Sequence, residues 1–125
     1  MKAQAKELLK VAKSIIAEPM TFDEPTTETT RWAERTLKSA LRVDSSWKKV
    51  YELFLTVREG SSNKFHYFAI YLNRQGEAVG GNAFGRIGYN PKAIEVARGD
   101  YPSVTADIQS KVRVKMAKGY AITEV

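Results

Sequence analysis

The residues in this chain best suited to chemistry are cations set close to aromatic rings. What they suit is holding a phosphate or a base, not breaking a bond. Arg86 stands two residues after Phe84 and three before Tyr89 in Phe84-Gly85-Arg86-Ile87-Gly88-Tyr89. A guanidinium can grip a phosphate through two parallel N–H···O bonds, and a ring stacked on a base contributes roughly 1–3 kcal/mol. Gly85, between ring and guanidinium, allows a backbone to approach closely. Asn63 and Lys64 open a second segment of the same kind, and Lys111, Lys115 and Lys118 recur along one stripe near the C-terminus. Each of these residues also has a plainer role. Phe84 can pack as a core aromatic at a strand end, and Arg86 can pair with Glu77 or Glu95. The lysine stripe can be a solvated helix face, and Tyr89 and Tyr120 can either stack or pack.

Bond-breaking chemistry finds little to work with. The chain has no cysteine and a single histidine, His66, so disulfides, thiolate catalysis and cysteine-ligated zinc are excluded. His66 lies between aromatic residues with no second ligand in its pattern, which reads as a structural position. Asp23-Glu24 falls in a Pro- and Thr-rich stretch with nothing to shift its acidity. No Ser-His-Asp set can be assembled, and the one glycine pair, Gly80-Gly81, sits inside a strand pattern and not between a strand and a helix. No catalytic residue, cofactor or metal is expected, and the chain is not read as an enzyme.

Twenty Lys and Arg against fourteen Asp and Glu leave a net charge of +6. The excess is uneven: residues 1–45 hold eight basic and seven acidic groups, residues 46–125 twelve and seven. The second part is therefore the one that suits an anionic partner. No apolar run approaches the roughly 20 residues that cross a bilayer. Lys6, Glu7, Lys10 and Lys13 interrupt the N-terminal stretch, which does not read as a secretory signal. A cytoplasmic location and no membrane partner are expected.

The elements that must position these groups fall into two parts. Ala5, Leu8, Leu9, Ala12, Ile15 and Ile16 recur at helical spacing over residues 2–17, and Pro19 ends that helix. Residues 19–30 read as a linker or surface loop. A second helix is expected from Thr29 or Thr30, one of them capping it, to about Val43, with Ala33, Leu37, Ala40 and Leu41 as its apolar stripe and Trp32 beside it. From Trp47 the period changes to alternation. Tyr51, Leu53, Leu55 and Val57 share one face of a strand over 48–57. Residues 65–72 are apolar on both faces and so central. Residues 77–86 form a third strand, in which Gly80-Gly81 marks a bulge or a close backbone approach. Residues 92–97 form a short fourth strand. The last helix is expected to start at Ser103 as N-cap, with Asp107 in its first turn and Gly119 as its stop. The fold class is α+β: an antiparallel meander of about four strands packed by a C-terminal helix and preceded by two N-terminal helices. The domains are 1–46, a helical extension, and 47–125.

The run Asn63-Lys64-Phe65-His66-Tyr67, then Phe84-Gly85-Arg86-Ile87-Gly88, then a helix closing in Lys118-Gly119-Tyr120, resembles the WGR domain across roughly residues 48–122. That family is named for a Trp-Gly-Arg triplet, and Phe84 stands where the Trp belongs. WGR domains occur in DNA-damage-responsive ADP-ribosyl transferases, where they bind DNA ends. The resemblance implies that the ring of the triplet, Phe84, stacks at a DNA end and that Arg86 contacts phosphate. Phe84 lacks the indole N–H, so a hydrogen bond donated by the family Trp has no counterpart. The expected function is nucleic-acid binding, DNA before RNA, through Asn63, Lys64, Phe84, Gly85, Arg86, Tyr89, Lys111, Lys115 and Lys118. The alternative is an assembly subunit that uses the fold as scaffold and associates with itself or a protein partner through residues 1–45.

Overall fold

The computed structural model describes residues 27–60 and 62–123. One helix, α1 (Thr27–Leu41), precedes four long strands, β1 (Lys48–Glu59), β2 (Ser62–Leu72), β3 (Glu77–Arg86) and β4 (Lys92–Asp100). The chain then forms α2 (Tyr101–Ala117) and a short β5 (Ala121–Ile122). The strands make one antiparallel sheet in the order β4-β3-β2-β1-β5. This is the α+β class with the meander and the closing helix expected from the pattern. It has five strands where about four were expected, and one helix before the sheet among the described residues. The helix expected over 2–17 lies outside them, as does Asp23-Glu24. No described helix is long and apolar enough to cross a membrane.

Alternation along the strands decides which helix covers what. Tyr51, Leu53 and Leu55 of β1 join Phe68 and Ile70 of β2 against Tyr101, Val104, Ile108 and Val112 of α2. Phe65, Tyr67, Ala69 and Tyr71 of β2 point the other way, into a cluster with Ala33, Leu37 and Leu41 of α1. The sheet is thus covered on both faces, and β2, apolar on both, is its middle strand. A polar clasp ties α1 down: Lys49 Nζ donates to Glu34 Oε2 of α1 at 2.8 Å and to Glu52 Oε1 of β1 at 2.9 Å. The Tyr67 hydroxyl donates to the same Glu52 oxygen at 2.7 Å. Burial above all, and then the Glu52 charge, raises the pKa of that phenol, which stays a donor.

Gly80 and Gly81 let both helices approach the sheet at the same level. A Cβ on Gly80 would lie 2.8 Å from Ile108 Cγ1 of α2; one on Gly81 would lie 2.7 Å from Leu37 Cδ1 of α1 and 2.7 Å from the Ile94 carbonyl oxygen. The β3–β4 register also shifts between these two residues. The close approach is present at both glycines, and the residue passed over by the register shift, Val96, lies on β4 opposite them.

Several boundaries differ from expectation, each for a local reason. Thr29 and Thr30 lie inside α1 and do not precede it. Ala40 is exposed, not part of the buried stripe. It sits about 100° round the helix from Leu41, on a flank that overhangs the edge strand β4. The N-cap of α2 is Asp100, not Ser103: the Ser103 amide donates to Asp100 Oδ2 at 3.0 Å. Pro102 is tolerated in the first turn because its missing N–H would have had no intrahelical partner. Asp107 therefore falls in the second turn. Strand β4 runs on to Asp100 instead of ending at Ala97.

Candidate nucleic-acid interface

The β2–β3 ladder sets the site. His66 lies opposite Phe84, and the next rung on the same face pairs Lys64 with Arg86. Directly opposed residues share a face, so all four stand on the α2 side of the sheet. On the edge strand Lys92 lies opposite Phe84. The rung reads His66–Phe84–Lys92 from the centre of the sheet to its edge.

Three rings build a platform. Phe84 stacks on His66 with centroids 5.4 Å apart and 19° between planes, and His66 stacks in turn on Phe68 at 6.1 Å and 18°. Tyr120, arriving just after α2, meets His66 edge-on at 5.0 Å. His66 is buried, and its Nδ1 lies 3.2 Å from Oδ1 of the buried Asn82. An amide oxygen only accepts, so Nδ1 carries the proton. Burial pushes the imidazole down to about 4, the Asn82 bond opposing and the charges of Lys115 and Lys118 adding to the fall. His66 is therefore neutral at pH 7 and structural in the sense expected from its position.

That pKa has a consequence for stability. The folded value, about 4, is below the ordinary 6.5, so between these two pH values the unfolded chain binds a proton that the folded chain refuses. Stability falls as pH drops from about 6.5 and levels off below about 4, by about 3 kcal/mol for a shift of this size. Urea melts across this window are expected to show the loss. His66→Phe, which keeps a flat ring between Phe84 and Phe68, should flatten it. An unchanged profile in the variant would assign the acid loss to carboxylates instead.

The same electrostatics show where the C-terminal cations gather. Lys115 and Lys118 both act on His66, and Lys115 is held below its ordinary value by partial burial, then by Lys118 and Lys111. The stripe of three lysines thus ends near His66. Arg86 and Tyr89 complete it from the turn after β3. The Tyr89 amide donates to the Arg86 carbonyl at 3.1 Å, and the Arg86 guanidinium lies 5.3 Å from the centre of the Tyr89 ring. Tyr89 is 62% exposed. Glu77 and Glu95, considered as partners for Arg86, pair with Arg98.

Of the nine expected residues, the structure brings Lys64, Phe84, Arg86, Lys115 and Lys118 to one end of one face, with Tyr89 at its rim and Lys111 a helical turn behind. It does not bring Asn63 there. Asn63 alternates to the opposite face, where its Oδ1 accepts from Arg58 Nε at 3.1 Å. Gly85 alternates away too, and the backbone that approaches it belongs to the chain's own turn: a Cβ there would stand 3.6 Å from Pro91 Cα. Two residues of the site were missed. Lys92 opens β4 directly after the Gly88–Pro91 turn, so its pairing with Phe84 follows once the hairpin register is known. Asn82 gave no signal, because a polar residue inside an apolar strand does not name its partner. Comparison of the chain with family models, with curated proteins and with solved structures finds no match.

Proposed function

We propose that this protein binds nucleic acid, in the manner of a WGR-like module, at the end of the sheet where β2, β3 and the C-terminus of α2 meet. The observation that carries the reading is the convergence of Arg86, stacked on an exposed Tyr89, with Lys115 and Lys118 on the Phe84–His66 platform. Lys64, Arg86, Lys92 and the helix lysines supply phosphate contacts. Lys111 and Lys118 stand close enough to depress Lys115, and together the three form a field that an anion relieves. Phe84 already has His66 against one side of its ring, so Tyr89 is the ring most open to a base. That shifts the stacking role from the first residue of the triplet to the turn that follows it.

The test is binding of the purified chain to labelled blunt duplex, nicked duplex and single strands at low and physiological salt. Affinity should fall steeply with salt. Arg86→Ala should weaken binding and lower the salt slope by about one unit while the circular dichroism spectrum stays unchanged. Binding that ignores both salt and Arg86 would exclude the reading.

A further inference from the structure

A second basic surface lies on the other side of the same sheet edge. Arg31, Arg35, Lys38 and Arg42 follow one another at spacings of four, three and four residues in and just past α1, and all are exposed. Such spacing puts them on a single line along the helix. Among the described residues no carboxylate pairs with Arg31, Arg35 or Arg42. Glu34, which lies between Arg31 and Arg35 in sequence, is drawn to Lys49 at 2.8 Å, with Lys38 at 3.9 Å.

Beside this ridge α1 and β4 leave an open groove of about 480 Å³ whose walls include Trp32, Arg35, Ser39, Pro91 and Lys92. Trp32 is half-buried and lines the groove, and the Thr36 hydroxyl is turned back to the Trp32 carbonyl at 2.9 Å. The groove therefore brings an aromatic residue together with two cations, Arg35 and Lys92. Lys92 belongs to both surfaces: it lies opposite Phe84 in the ladder and also lines the groove. Between them stands the turn that carries Tyr89.

We propose that the α1–β4 groove is a second nucleic-acid subsite, and that one single strand passes from the Phe84–Arg86 face, over Tyr89, into the groove. Phosphates meet Arg31 and Arg35, and a base stacks on Trp32. This rests on the nucleic-acid reading of the first face and adds the class of ligand to it. The path doubles back around the edge strand from one face of the sheet to the other. Duplex DNA, stiff over about 150 base pairs, cannot make that turn, whereas single strands follow a charged groove with stacking rings, using about 4–16 nucleotides per site.

The experiment titrates the full chain with oligothymidylates of about 4 and about 16 nucleotides and with a blunt duplex, following tryptophan fluorescence and affinity. The long single strand should bind at least about tenfold tighter than the short one. It should quench a signal that is missing in Trp32→Phe. Arg31→Glu with Arg35→Glu should abolish that length advantage, leave the short strand's affinity within about twofold, and lower the long strand's salt slope by about 1.4. Long-strand binding that leaves Trp32 unquenched and ignores the double variant would overturn the groove and leave the first face standing. Tighter binding of the duplex would overturn the single-strand path. Quenching of Trp32 by poly-glutamate but not by oligonucleotide would reassign the groove to an acidic protein. Absence of binding by any nucleic acid would remove the first reading and this one together.

Discussion

Gly81→Ala is expected to lower the unfolding free energy by about 3 kcal/mol, at the upper end of what overpacking a core costs, whereas Gly80→Ala should cost about 1 kcal/mol. The two residues are neighbours, and each holds a helix close to the sheet, so the difference depends on what the new methyl group would meet. At Gly80 the nearest atoms are Cγ1 and Cδ1 of Ile108 and Cγ1 of Val104, at 2.8–3.0 Å. Those are side-chain atoms of stiff β-branched residues, which can give way by a small shift of α2. At Gly81 two of the atoms are also leucine methyls of α1, but the third is the Ile94 carbonyl oxygen at 2.7 Å. That oxygen is backbone on the neighbouring strand, at the place where the β3–β4 register already shifts. It cannot retreat without breaking the ladder. Urea melts would read the effect as a lower midpoint at unchanged slope. Equal costs at the two positions would mean that β4 gives way as easily as a side chain does.

The glycine pair also shows how far the sequence could be read. Two glycines inside a strand announce that something comes close, but not what. Adjacent residues point to opposite faces, and only the fold reveals a helix on each. The central place of β2 was legible because Phe65–Leu72 is apolar at every step, a pattern that a strand with one wet face would not carry. The two-residue β5 was not, because Ala121-Ile122 is too short to show a period. It is held by β1 pairing and by the Thr123 amide on the Phe54 carbonyl at 2.8 Å. In the site, the order of cations and rings was visible, but sidedness was not. Asn63 and Lys64 are neighbours in the chain and go to opposite faces, so half of a linear motif is lost to any single surface. The ridge at Arg31, Arg35, Lys38 and Arg42 was present in the spacing. The charge excess beyond residue 45 masks it, because α1 and its acidic neighbours nearly cancel in a sum. A sum cannot show that Glu34 is already engaged by Lys49.

Replacing Lys111, Lys115 and Lys118 together by Gln is expected to weaken single-strand binding about a hundredfold at about 0.1 M salt, because each lost phosphate contact removes about 0.7 from the salt slope of a single strand. Three contacts thus remove about two units of slope, which at one decade below 1 M salt is about two powers of ten in affinity. The same variant should be as stable as the native chain or slightly more so. In the free protein Lys115 is held down by partial burial and by repulsion from Lys118 and Lys111, and all three charges lie outside the buried side of α2, which is formed by Tyr101, Val104, Thr105, Ile108 and Val112. Binding and stability should therefore move in opposite directions. A solvated helix stripe with no ligand would give neither change in binding nor change in salt slope. A structural role would give a loss of stability first, with binding following it. Measuring the thermal midpoint beside the salt-dependent affinity separates these outcomes, and an affinity within about threefold of native at every salt concentration would take the helix lysines out of the interface.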